Sequence, residues 1–417
     1  MPENIVIIRP PAAGIIEGSI TLNGSKSISN RVLIINALTG NKIPIENVSN
    51  ADDSLRMQQI LQNNETLLDA GAGGTTFRFL TAYLAIQEGR EVVLTGSERM
   101  QQRPIKILVD ALRQLGADIS YEKNEGFPPL RIQGKKLAGG KIALPADTSS
   151  QYITALLLIA PKLEYGLELE LTGTVVSLPY IQMTLKLMNE FEIPSAFEGN
   201  TIKILPGEYQ PKPFFVEADW SAASYYYEIA ALSEKAHIEL NGLDNRQIQG
   251  DSVIARIAEN FGVETNFGER KIVIEKKGKP HHTSFSYDFL KCPDLAQTVA
   301  CICAGLEIDM DAKGLQTLRI KETDRIAALN NELFDLGLAE FTETGENEWQ
   351  LQNCQPQVFN HYAVKTYDDH RMAMAFAPLC LKSGEIQIEH PDVVSKSYPK
   401  FWEDLEGLGF SIKLNQQ

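Results

Sequence analysis

Four short stretches set cations among hydroxyl groups, amides and carboxylates: Gly24-Ser25-Lys26-Ser27-Ile28-Ser29-Asn30-Arg31, Met100-Gln101-Gln102-Arg103-Pro104, Arg319-Ile320-Lys321-Glu322-Thr323-Asp324-Arg325 and Asp368-Asp369-His370-Arg371. An arginine fork takes a phosphate or carboxylate through two parallel hydrogen bonds, a lysine meets it as a point charge, and serine hydroxyls add neutral donors. The chemistry on offer is the capture of anions. Yet the chain as a whole is acidic, with a formal net charge of −15 over 417 residues. A nucleic-acid footprint would be broad and would drive the balance basic. Isolated cationic motifs on an acidic protein point to a local trap for a small, strongly anionic ligand.

Each motif has a place on an element. Residues 24–27 open a helix whose apolar positions begin at Ile28, with Ser25 or Ser27 as N-cap. Free N–H groups, hydroxyls and Lys26 at such an end attract phosphate or carboxylate. The stretch is no Walker A loop, because G-x-x-x-x-G-K-[ST] is absent. In Ala70-Gly71-Ala72-Gly73-Gly74-Thr75-Thr76-Phe77-Arg78, three glycines before a helix allow close backbone approach to an anion. The dinucleotide fingerprint fails there, since Thr76 stands where its last glycine belongs. Arg103 precedes Pro104, a first-turn residue for a helix. Ser149, Ser150 and Gln151 cap an apolar helix from Ile153, and Ser177 with Tyr180 precedes another.

Placed on a helix, Lys321 and Arg325 are i,i+4 neighbours with Glu322 beside both. Asp368 and Asp369 suit the first turn of the helix that follows, whereas His370 and Arg371 oppose its dipole, so an anionic ligand would compensate them. Lys396, in Val393-Val394-Ser395-Lys396-Ser397-Tyr398-Pro399, repeats the theme of residues 24–31. Asp294, in Cys292-Pro293-Asp294, begins an apolar helix as either N-cap or base. Singly, these motifs also read as capped helices, tight turns and solvated charged faces. Their recurrence at helix starts favours the anion site.

The elements that must position them repeat. Amphipathic helices ending in Leu or Phe, then mostly Gly, then an alternating strand pattern, place markers at Gly116, Glu192, Gly262, Gly337 and Gly409, 70 to 76 residues apart. A weaker sixth unit ends near Leu61-Gln62. This period exceeds that of common solenoids and suits a compact unit of a few strands and two helices. Two domains of three units would account for the length, which exceeds what one core usually serves. We expect a discontinuous domain, 1–17 with 220–417, and an inserted domain, 22–217, with hinge crossings near 14–24 and 217–220. The first residues read as a partner strand of the C-terminal half.

Hydrophobic content of 43% and charged content of 22% are those of a globular protein. Cys292, Cys301, Cys303, Cys354 and Cys380 show no C-x-x-C spacing, which argues against a disulfide framework and a zinc site. Cys301 and Cys303 read as buried thiols in an apolar run. No signal peptide or membrane span is visible, and we expect a cytoplasmic location.

Taken together, G-S-K-S-I-S-N-R, R-I-K-E-T-D-R and D-H-R-M-A-M resemble the 5-enolpyruvylshikimate-3-phosphate synthase family, in order from Gly24 to about Pro399. The resemblance implies an α/β fold of two quasi-symmetric domains, each of three βαβαββ units. It implies transfer of the enolpyruvyl group of phosphoenolpyruvate to the 5-hydroxyl of shikimate 3-phosphate, with release of phosphate, by closure of the two domains. No cofactor or metal is implied, and a monomer is expected that binds neither nucleic acid nor membrane. Carried over by motif, Ser27, Arg31, Ser149, Ser150, Ser177, Asp294 and Lys321 would hold shikimate 3-phosphate. Gly74, Arg103, Arg325, Arg371 and Lys396 would hold phosphoenolpyruvate, with Lys26 and Gln151 touching both. Asp294 would act as base, and Glu322 with Lys26 would serve the methylene carbon.

Two positions depart from the family's pattern. Ala72 stands where asparagine is common, and Thr317 stands where asparagine is frequent. Gly74 keeps the small residue that lets phosphoenolpyruvate, and by analogy glyphosate, fit. A related fold acts on UDP-N-acetylglucosamine, but carries a reactive cysteine on the loop that here is 96–103 and has none. A non-catalytic anion-binding relative is the other alternative, against which stand Asp294, Glu322 and Lys26.

Overall fold

The computed structural model describes residues 4–145, 149–173, 178–280, 282–357, 359–360 and 362–416. The chain divides into two compact units, one comprising residues up to Asn23 together with those from Glu217 onward, the other Gly24–Val216. Five four-stranded sheets and one two-stranded sheet occur among the described residues, and the five larger ones share one spatial order.

In the 24–216 unit one sheet runs Leu67–Asp69, Glu91–Thr95, Leu130–Gln133, Asp118–Tyr121. Its first pair is parallel and is bridged by the helix Gly74–Ala85, while the remaining pairs are antiparallel. The second sheet, Gly140–Pro145, Leu167–Thr172, Thr201–Ile204 and Ser195–Glu198, repeats this arrangement around the helix Ser150–Ile159. The third repeat is reduced to Ile45–Glu46 and Phe214–Phe215, paired in parallel. This short pair ties the beginning of the unit to its end.

The other unit has three full sheets. Strands Ser284–Asp288, Asp309–Lys313, Glu348–Asn353 and Ala339–Gly345 enclose the crossover helix Ala296–Gly305. In the sheet of Ile15–Thr21, Lys235–Asn241, Lys271–Lys276 and Val263–Gly268, the parallel first pair is separated in sequence by the whole inserted unit. The last sheet runs Ala363–Val364, Ile386–Glu389, Asn4–Arg9, Ser411–Gln416, so the N-terminal strand fills the place a late strand holds elsewhere.

The repeat is written into the backbone. Gly116, Gly262, Gly337 and Gly409 all have positive φ, and so does Glu192 at φ 64, the one marker that is not glycine. Such a left-handed residue ends a helix by turning the chain into the next strand. Ala117, Ile193, Leu338 and Phe410 then bond back to the carbonyls of Leu112, Met188, Leu333 and Leu405. The weak unit ending at Gln62 lacks this device, since Asn63 has φ −100 and the chain leaves extended.

Helices buried on every side form the core. The helix Trp220–Leu232 is enclosed along nearly its whole length and Ala296–Gly305 throughout, as their composition requires, with apolar residues all round and few charges. Cys301 and Cys303 lie in this interior, and burial pushes both thiols up. At the crossover between units Gly24 admits no side chain, because a Cβ there would stand 1.7 Å from Asn47 O. No helix among the described residues is long and apolar enough to cross a membrane.

Candidate active site

In the discontinuous unit the site is built on Asp294. It sits in the 3-10 turn Pro293–Leu295, ahead of the helix Ala296–Gly305, whose N-cap position falls on Leu295. Three cations surround its carboxylate instead: Arg325 Nη1 at 2.9 Å and Lys321 Nζ at 3.7 Å from Oδ1, and Arg371 Nη2 at 3.1 Å from Oδ2.

Arg325 is the hub. Its side chain is only 2% exposed, and it donates from Nε to Asp369 Oδ2 at 2.6 Å, from Nη1 to Asp294, and from Nη2 to Glu322 Oε2 at 2.8 Å. Burial alone would lower this guanidinium, but Asp369, Glu322 and Asp294 outweigh it and hold Arg325 above its ordinary value. The helix expected across Lys321 and Arg325 does not form. Asp324 accepts from Ile326 N at 3.2 Å and Ala327 N at 3.1 Å, so the helix starts at Arg325, and Lys321 ends the preceding 3-10 turn Gln316–Ile320. Side-chain capping by aspartate has overridden the i,i+4 spacing.

Asp369 plays two parts that the sequence pattern concealed. Fully buried, it caps the helix His370–Phe376 through Arg371 N at 2.8 Å while it binds Arg325. Just before it, Tyr367 and Asp368 have φ 53 and 57. Two successive non-glycine residues in the left-handed region cost roughly 1–2 kcal/mol each. Lys396 joins this turn rather than the Asp294 cluster, with Nζ 2.7 Å from Asp368 O and 2.5 Å from Asp368 Oδ1. It closes the 3-10 turn Pro391–Lys396 and so does not repeat the helix-start setting of residues 24–31.

Behind Arg371 lies a polar layer absent from the sequence expectations. Arg371 Nη2 is 3.4 Å from Ser221 Oγ, which bonds to Asp251, and Gln249 Nε2 reaches Ser221 Oγ at 3.1 Å and Asp219 at 3.0 Å. Burial, together with the nearby Asp294 charge, raises the Asp251 carboxyl to about 6. The Thr317 hydroxyl, where the family often has asparagine, is buried without a hydrogen-bond partner.

In the 24–216 unit several of the expected site residues stand at the starts of buried helices. Ser25, not Ser27, is the N-cap of the helix Lys26–Leu38, and Lys26 Nζ lies 3.8 Å from Asp53. Among the described residues Arg31, 3% exposed, is bound by neutral oxygens: Thr184 Oγ1 at 2.9 Å, Ser27 O at 2.8 Å, Tyr180 O at 3.3 Å and Thr154 Oγ1 at 3.4 Å. Burial lowers its pKa to about 10. The Ser27 hydroxyl is half-buried, and Ser149 is the N-cap of the helix Ser150–Ile159. Ser177 lies outside the described residues.

Gly74 starts the helix Gly74–Ala85 between two guanidiniums. A Cβ on it would stand 2.4 Å from Arg78 Nη1 and 2.6 Å from Arg103 Nη1. Arg78 is the residue the motif contained without declaring. It is 4% exposed, donates from Nη1 to Gln151 Oε1 at 2.5 Å, lies over the Tyr152 ring, and keeps a buried Nε with no partner. Burial lowers its pKa, and Arg103 lowers it further. Gln151 answers with Nε2 donating to Thr75 Oγ1 at 3.0 Å. Because arginine only donates, the carboxamide must face it with its oxygen.

Fold and clusters together define a class: an α/β protein of two units, each built on one repeated sheet plan, with arginines buried in both. The chain belongs to the EPSP synthase (3-phosphoshikimate 1-carboxyvinyltransferase) family, whose model matches residues 11–64 and 56–405. It is 48% identical over 405 residues to a 3-phosphoshikimate 1-carboxyvinyltransferase of Bacteroides fragilis, covering 96% of this chain and 98% of that one. A namesake from Mannheimia haemolytica is 35% identical over 425 residues, covering 94% and 97%. Among solved structures, an EPSP synthase from Acinetobacter baumannii superposes with a TM-score of 0.80 over 99% of this chain and 100% of its own, at 22% identity, a likeness of fold.

Proposed function

We propose that this protein transfers the enolpyruvyl group of phosphoenolpyruvate to the 5-hydroxyl of shikimate 3-phosphate. The reading rests above all on Asp294, a carboxylate held among Arg325, Arg371 and Lys321 within the family-matched region. Both substrates carry a phosphate and a carboxylate, and guanidiniums suit such groups far better in a partly dehydrated site than in water. Lys321, Ser27, Arg31, Ser149, Ser150 and Ser177 are assigned to shikimate 3-phosphate. Gly74, Arg103, Arg325, Arg371 and Lys396 are assigned to phosphoenolpyruvate, and Lys26 and Gln151 to both.

The chemistry is addition followed by elimination. Glu322, with Lys26, delivers a proton to the methylene carbon of phosphoenolpyruvate. Asp294 takes the proton of the 5-hydroxyl as its oxygen bonds to the neighbouring carbon, giving a tetrahedral intermediate. Glu322 then takes a proton back from the new methyl group as phosphate leaves the central carbon, which restores the double bond. Three cations hold Asp294 as an ion-paired carboxylate.

Phosphate release from the two substrates tests the reading. Turnover should require both, and purified protein that releases none would refute it. Asp294→Ala should lower turnover by about 10²–10⁴-fold while shikimate 3-phosphate still binds, as calorimetry would show. Wild-type turnover in that variant would remove Asp294 from the mechanism.

A further inference from the structure

The helix Arg325–Asp335 grips the segment 365–371 at two points. At its first residue Arg325 donates to Asp369. Two turns later Glu332, buried at 0% exposure, accepts from Lys365 N through Oε2 at 2.9 Å and from the Tyr367 hydroxyl through Oε1 at 2.7 Å. Between these anchors lie the left-handed pair Tyr367 and Asp368. Consecutive non-glycine residues stay in that region only where their surroundings over-determine them. The turn they make decides where the next residues point. Asp369 leaves it toward Arg325, Arg371 toward Asp294, and Asp368 itself carries Lys396.

We propose that Glu332 is a positioning residue: its two carboxylate oxygens pin the strained Tyr367–Asp368 turn to the helix that bears Arg325, and so fix the directions of Asp369, Arg371 and Lys396. The inference rests on the assignment of Arg371 and Lys396 to phosphoenolpyruvate. Both anchoring partners are donors, so the site needs two acceptors on one side chain. A glutamine supplies one acceptor and turns an N–H toward the other donor. Glu332 touches neither substrate nor any reacting atom in this reading, and no motif drew it out of the sequence, where it reads as one more polar residue of an amphipathic helix.

The test compares Glu332→Gln and Tyr367→Phe in the full chain with wild type. Steady-state kinetics with both substrates, hydrogen exchange of peptides spanning 363–374, and thermal melts are measured together. Glu332→Gln should raise KM for phosphoenolpyruvate by about tenfold, the scale expected of small misplacements of binding groups, and leave KM for shikimate 3-phosphate nearly unchanged. Tyr367→Phe, which removes one donor and leaves the backbone contact, should shift it the same way by less. Exchange should quicken across 365–371 and stay as in wild type across Trp220–Leu232. Lowered melting with both KM values and local exchange unmoved would make Glu332 merely structural and overturn the proposal. If Glu332→Gln does not fold, the Tyr367→Phe comparison decides on the same terms. Wild-type protein that turned over neither substrate would sink the functional reading, while the exchange data would still decide what Glu332 holds.

Discussion

The two units hold buried arginines in opposite ways. Arg325, in the discontinuous unit, is met by Asp294, Glu322 and Asp369, and its neighbour Arg371 shares Asp294. In the 24–216 unit, Arg31, Arg78 and Arg103 meet no carboxylate at ion-pair distance among the described residues, and Arg31 and Arg78 are nearly as deeply buried as Arg325. Burial therefore lowers the pKa of Arg31 and Arg78, while protein anions hold that of Arg325 up. A compensated arginine is part of the fold's own electrostatics. An uncompensated one is a standing demand for an anion from outside, tolerated because hydroxyls, carbonyls and ring faces partly solvate it.

The contrast breaks most readily at the hub. Arg325→Met would strand the buried Asp369 carboxylate, and urea unfolding should show a loss of about 3–5 kcal/mol with turnover abolished. A loss under about 1 kcal/mol would mean that the three carboxylates do not depend on it. Gly74→Ala should spare the fold, since the atoms in its way are the far ends of two arginine side chains, but should displace Arg78 and Arg103. We expect KM for phosphoenolpyruvate to rise about tenfold and glyphosate to bind more weakly, with melting little changed. Equal kinetics would show that the guanidiniums beside Gly74 do not face the ligand.

Arg78→Met sharpens the comparison from the other side. With no protein anion left behind, stability should move by no more than about 1 kcal/mol, although Gln151 loses its anchor and catalysis should weaken. A collapse like that of Arg325→Met would erase the distinction between the units. A pH-dependent effect belongs to Glu217 of the discontinuous unit, which accepts from Trp220 Nε1 at 2.9 Å and which burial pushes up to about 7. The fold prefers its neutral form, so its contribution is complete below the ordinary value of 4.5 and is lost as pH climbs through about 7. Glu217→Gln should flatten the fall in denaturation midpoint across that window, and an unchanged slope would assign the fall to other groups.

How much of this was legible in the sequence depended on distance along the chain. The repeat could be read because each marker is local: a helix must end, and a left-handed residue ends it, glycine at 116, 262, 337 and 409 and, against propensity, Glu192. The cations could be read because their neighbours betray them. What pairs with them could not. Asp369 stands two places before Arg371, whose N–H it caps, yet it also serves Arg325, 44 positions away, and Arg78 lies inside a glycine-rich motif. The spacing of Lys321 and Arg325 misled for the converse reason, since one capping aspartate between them reset the helix. Lys396 resembled residues 24–31 in composition alone, and its partner, Asp368, is fixed by a strained turn that no pattern announces.

The junction between units has a consequence for engineering. Asn23 O accepts from Asp219 N at 3.2 Å, Leu22 N donates to Asn241 O at 3.1 Å, and Phe214–Phe215 pairs with Ile45–Glu46 inside the insert. The two cut ends on the host side are therefore already neighbours, and the guest is laced shut at its own base. Excising Gly24–Val216 and bridging Asn23 to Glu217 with a few flexible residues should leave a host chain, joined from the two ends of the sequence, that melts cooperatively in a thermal scan.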